Sequence, residues 1–137
     1  MSLGRDLGAV VVGGILGTGL RLAIDTAVPH DDASFPLSTL LINTVGALVL
    51  GTLVAWLWPT APSWLKAGLG VGLLGSFTTF SAFAVSLVSL TAAGEWVPAL
   101  GYLALTVVLG LGAAWLGLVL GGRASGRSGR VPVEADE

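Results

Sequence analysis

The stretch "GSFTTFSAF", residues 75–83, lies inside a long apolar run and does not read like the rest of it. A bilayer-spanning helix is built from Leu, Val, Ile and Ala. Here Gly75 is followed by four hydroxyls, Ser76, Thr78, Thr79 and Ser81, and by phenylalanines three residues apart, Phe80 and Phe83. Gly75 weakens helix propensity, and clustered hydroxyls compete for backbone hydrogen bonds. Interrupted backbone at bilayer depth is tolerated only where protein buries it or a wet cavity receives it. The stretch therefore predicts a break in a membrane helix and, with it, a site.

Composition supports the membrane setting. Only 10% of the 137 residues are charged and 54% are hydrophobic, against about 25% charged in an ordinary soluble domain. Mean hydropathy is +0.91. A span needs roughly 20 apolar residues, and four segments qualify: about 7–28, 37–58, 65–90 and 97–120. The first is too long for a signal peptide's apolar region and lacks a cleavage pattern. "PHDDASFP" (29–36), "PTAPSW" (59–64) and "TAAGEW" (91–96) separate the spans. Trp56, Trp58, Trp64 and Trp96 stand near predicted span ends, where an aromatic belt sits. Residues 1–121 read as one all-α unit of four transmembrane helices. The polar, Gly/Ser-rich residues 122–137 read as a disordered tail.

With four spans, both termini share a side with the loop between the second and third. That side collects Arg5, Lys66, Arg123, Arg127 and Arg130. The other holds Asp31, Asp32 and Glu95, with Arg21 near it. The positive-inside rule then places both termini in the cytoplasm.

The spans hold no ionisable residue at their centres, which argues against a proton relay or a carboxylate-coupled transporter. Arg21 and Asp25, four apart at the end of the first span, share a face and are candidates for an interfacial pair. His30 reads as a solvated loop residue. No nucleophile–base pair, metal-ligand cluster or phosphate-binding loop is present, so the chain does not read as an enzyme. A net charge of −2 gives no basis for a nucleic-acid partner, and the chain has no cysteine. The deep polar residues are neutral: Asn43, flanked by Thr39 and Thr44, then Tyr102 and Thr106, which are four apart on one face. Each has a plain packing alternative, Asn43 as interhelical glue and Thr106 bonding its own helix. Phe80 and Phe83 could likewise merely pack. Ring edges carry partial positive charge, however, and hydroxyls and amides donate hydrogen bonds without fixed charge. Together they suit an anion.

Four stretches, "GGILGTGLR" (13–21), "STLLINTVGALVLG" (38–51), "GLLGSFTTFSAF" (72–83) and the run from Tyr102 to Gly117, resemble the Fluc (CrcB) family of bacterial fluoride channels. The second and third carry most of the specificity. The resemblance implies a fluoride-specific, passive channel in the bacterial inner membrane that drains fluoride from the cytoplasm, built as a dual-pore antiparallel dimer. It implies a fluoride pathway along Asn43, Phe80, Phe83, Tyr102 and Thr106, with Thr79 and Ser81 beside it. It also implies a structural sodium ion, not transported, held by the Gly75 and Thr78 carbonyls at the broken third helix, with Arg21 in a structural role. Ala82 and Gly110 depart from the family pattern by removing hydroxyls. The bias of basic residues to one side is unfavourable for a chain that must insert in both orientations. It raises a heterodimer with a related, oppositely oriented subunit as an alternative to the homodimer. Two other readings are a small four-helix multidrug transporter, whose essential first-helix glutamate is missing here, and a non-conducting membrane assembly protein.

Overall fold

The computed structural model describes residues 3–28 and 35–126, and all regular structure within them is helical. Helix α1 spans Leu3–Ala27 and α2 spans Leu37–Trp56. The third span is composite: α3 (Ser63–Lys66), a π-helical stretch (Ala67–Leu74) and α4 (Gly75–Phe77), then α5 (Phe80–Ala92). Helix α6 spans Trp96–Ala124. It runs past Gly121, where the polar composition begins, so Gly122–Ala124 are helical. His30, Asp31, Asp32 and residues 127–137 lie outside the described residues.

Punctuation follows local chemistry. Pro36 and Pro62 sit immediately before α2 and α3, where a missing N–H costs nothing. Pro98 is tolerated in the first turn of α6 for the same reason. Between α5 and α6 the chain reverses at Gly94, whose φ of +78° strains any residue with a Cβ, and the Glu95 N–H closes the turn on the Leu90 carbonyl at 2.9 Å.

Glycines set the packing. Along α2 and α6, a Cβ at Gly51 would strike the Ala114 carbonyl, one at Gly117 the Leu48 carbonyl and one at Gly121 the Thr52 carbonyl. A Cβ at Gly13 or Gly17 of α1 would strike the carbonyls of Gly68 or Leu73. Two pairs of helices thus touch backbone to backbone: α2 with α6, and α1 with the first half of the third span. Small residues allow this close approach in a membrane, where dispersion replaces the hydrophobic effect between helices. The core comprises two small clusters. One joins Leu40, Leu90, Ala99 and Tyr102, the other Ile42, Leu74 and Phe77. Large apolar side chains such as Val11, Ile15, Val71, Val97 and Leu111 point outward, an arrangement suited to lipid rather than water. The helices that hold these spans are each long and apolar enough to cross a bilayer.

The third span interrupts itself where the hydroxyl-rich stretch lies, but not at the glycine. Gly75 is helical (φ −63°, ψ −28°), whereas Thr78 (−76°, 156°) and Thr79 (−147°, 120°) are extended. A glycine lowers helix propensity by about 1 kcal/mol, which packing readily overrides. The bonds made at Thr78 and Thr79 decide the place instead.

Candidate ion pathway at the interrupted third span

Helix α2 passes the interruption so tightly that a Cβ at Gly46 would overlap the Thr78 methyl group. One turn earlier Asn43 faces the extended residues. Its Nδ2 donates to the Thr79 carbonyl at 2.9 Å, and its Oδ1 accepts the Thr79 N–H at 2.8 Å. In an unbroken helix that N–H would donate to the Gly75 carbonyl; here it is diverted, and the Gly75 carbonyl loses its usual donor. Thr78 turns back, its N–H and hydroxyl both donating to the Leu74 carbonyl, at 3.0 and 2.9 Å. Thr79 caps the next helix: its Oγ1 accepts the Ala82 N–H at 3.1 Å and lies 3.1 Å from the Ser81 hydroxyl. A threonine hydroxyl at this position satisfies a donor that the first turn of α5 would otherwise leave bare.

Past the cap, aromatic rings form a row. Phe80 and Phe83 have centroids 5.7 Å apart, tilted by 44°, and Phe83 and Tyr102 lie 5.3 Å apart, tilted by 40°. Phe35 meets the other side of Tyr102 edge-on at 5.6 Å. The row runs from surface to core: Phe80 is 79% exposed and Tyr102 is fully buried. At its buried end the Tyr102 and Thr106 hydroxyls are sealed from solvent and, among the described residues, make no hydrogen bond of good geometry. The hydroxyls of Thr39 and Ser86 also lie around Tyr102. At its exposed end an open cavity of about 720 Å³ is lined by Asn43, Gly75, Thr78, Thr79 and Phe80, and reaches Lys66.

The sequence-predicted residues therefore fall into two connected groups. Asn43, Thr79 and Ser81 join through hydrogen bonds at the interruption, and Phe80, Phe83, Tyr102 and Thr106 line up beyond it. Asn43 spends its carbonyl and one N–H on the backbone, leaving one N–H for another partner. Arg21 stands apart on α1 and, among the described residues, forms no ion pair with Asp25. Gly110 faces open space, with no atom within 4 Å of a Cβ built there. Sequence reasoning did not assign Thr39, Ser86 or Phe35 to the site. Thr39 is one turn before Asn43 and Ser86 is three beyond Phe83, so helical spacing carried a signal for both. Nothing local distinguished Phe35.

Comparison with known proteins gives the family. Residues 8–118 match the family described as "CrcB-like protein, Camphor Resistance (CrcB)". The fluoride-specific ion channel FluC of Pseudomonas putida F1 is 45% identical over 117 residues, covering 83% of this chain and 94% of the relative. That of Pseudomonas fluorescens SBW25 is 43% identical over 115 residues, covering 82% and 93%. That of Paracoccus denitrificans Pd 1222 is 41% identical over 112 residues, covering 82% and 90%. The chain belongs to the CrcB family and is a multi-pass membrane protein.

Proposed function

We propose that the chain is a subunit of a fluoride-specific channel that lets fluoride leave the cytoplasm passively. One observation carries the reading: a row of aromatic rings leads from an open cavity to two buried hydroxyls, those of Tyr102 and Thr106, that make no hydrogen bond of good geometry among the described residues. Buried polar groups in native proteins are nearly always paired, and an unpaired one calls for an explanation. Donors held ready for a passing anion provide it. The relatives described as fluoride-specific channels identify that anion.

The chemistry is that of a conductor. A permeating ion must be bound well enough to shed water and weakly enough to leave. Positive ring edges at Phe80 and Phe83, hydroxyls at Tyr102 and Thr106, and the spare Asn43 N–H offer attraction without a full positive charge that would trap fluoride. Thr79 and Ser81 contribute by holding the start of α5, which carries both rings.

The subunit pairs with an antiparallel neighbour, either a second copy or a related chain of opposite orientation. The cavity beside Gly75, Thr78 and Phe80 supports this reading, since it leaves the interruption uncovered on one side. A structural sodium ion fits the same place. The Gly75 carbonyl is released by the Asn43–Thr79 pairing, and no bond to the Thr78 carbonyl forms among the described residues. Carbonyls freed at a broken membrane helix are suitable ligands for sodium. The Gly75 and Thr78 carbonyls would hold the ion, whose charge would tie the two subunits together. Both termini lie in the cytoplasm in this reading.

Efflux from liposomes holding only the purified chain tests the reading. Fluoride should leave rapidly and chloride should stay. Silence from the lone chain, followed by efflux on co-expression with an oppositely oriented relative, would select the heterodimer. Silence in both would sink the channel reading.

A further inference from the structure

The outer flank of α1 carries a groove that the ion pathway does not use. It encloses about 370 Å³ between α1 and the first half of the third span, with Arg5 and Trp64 at one end and Leu16 and Leu73 at the other. From Arg5 to Leu16 the helix rises roughly 16 Å. That matches one leaflet of a hydrocarbon core about 30 Å thick. Gly8, Ala9, Gly13 and Gly68 line the groove, and their small size hollows it.

Its mouth is charged. The Arg5 guanidinium lies over the Trp64 ring, 4.6 Å from the centroid. A ring contact satisfies no N–H donor, so the guanidinium's five donors are available to a phosphate. The neighbouring Asp6 carboxylate accepts a hydrogen bond from the Ser63 hydroxyl at 3.2 Å and makes no ion pair with Arg5. Among the described residues Arg5 has no ion-pair partner. An unpaired cation thus stands at the interfacial end of an apolar trough one leaflet deep.

We propose that this groove binds one anionic glycerophospholipid, with its phosphate at Arg5 and one acyl chain laid along Val12 towards Leu16 and Leu73. The lipid would brace α1 against the first half of the third span, which holds the interruption. The inference does not depend on which ion the chain conducts.

The test is native mass spectrometry of the full chain in micelles with equal phosphatidylglycerol and phosphatidylcholine of identical chains. The wild type should retain phosphatidylglycerol with a preference of about fivefold, the worth of one basic residue at a membrane surface. Arg5→Gln should erase the preference. Gly8→Leu, at a position with nothing within 4 Å of a built Cβ, should fill the trough and lower retention of both lipids. A wild type without preference, or an Arg5→Gln variant that keeps it, would overturn the proposal. So would a Gly8→Leu variant that retains lipid normally, since that describes surface attraction alone. A phosphatidylglycerol with a photoreactive acyl chain, applied to the wild type, gives an answer independent of the variants. It should label peptides from 8–16 and 65–73, and labelling confined elsewhere refutes the site.

Discussion

Asn43 and Thr79, 36 residues apart in sequence, bond reciprocally, amide to peptide, at 2.9 and 2.8 Å. The pair sets where the third span stops being a helix, and it frees the Gly75 carbonyl in doing so. Asn43→Ala should therefore be costly. It removes two hydrogen bonds and leaves a buried N–H and carbonyl bare, a loss of about 2 kcal/mol or more. Thermal unfolding in detergent should show the drop. Asn43→Asp retains an acceptor for the Thr79 N–H but sets a carboxylate against the Thr79 carbonyl, and it should recover little.

The aromatic row gives a prediction about transport rather than stability. Phe80→Ile and Phe83→Ile should each cut fluoride efflux by roughly a hundredfold, the scale seen when one preorganised electrostatic partner is removed from a developing charge. Phe80 is exposed in the subunit, so its variant should elute and melt like wild type. Efflux that persists in both variants would mean the rings only pack.

The cap separates from the pathway by comparing two variants. Thr79→Ala loses the bond from Ala82 and should destabilise the protein by about 1 kcal/mol, whereas Thr79→Ser keeps the hydroxyl and should not. A melting difference between them that is absent would remove the cap from the account.

Two glycines should behave oppositely. Gly46→Ala drives a methyl into Thr78, and overpacking of this kind costs about 1–3 kcal/mol. Gly110→Ser grows into open space, one turn beyond Thr106, and should be tolerated while adding a hydroxyl to the polar face of α6. Melting temperature and efflux, read on both variants, check the pair.

Sodium should act as a structural ligand. Replacing it with a large organic cation should lower the melting temperature, because a ligand bound only by the folded state stabilises it in proportion to its saturation. Asn43→Ala should blunt that dependence, since it removes the amide that holds the Thr79 backbone, and with it the released Gly75 carbonyl, in place.

What the sequence determined by itself follows from local rules. Apolar runs of span length, prolines just before helices, tryptophans at span ends and a hydroxyl cluster in one span were all legible because each depends on neighbours a few residues away. Phe80, Phe83, Tyr102 and Thr106 could be paired by helical spacing alone. Tertiary structure decided the rest. It moved the interruption from Gly75 to Thr78 and Thr79, because the amide that takes the Thr79 N–H comes from α2. It brought Phe35 and Thr39, from the entry to α2, and Ser86, from α5, around Tyr102. It made no ion pair between Arg21 and Asp25, among the described residues, although their spacing permits contact. Each of these depends on which helices lie side by side, and that depends on backbone-to-backbone contacts at Gly13, Gly17, Gly51 and Gly117. Spacing along one helix carries no record of the helix that will press against it.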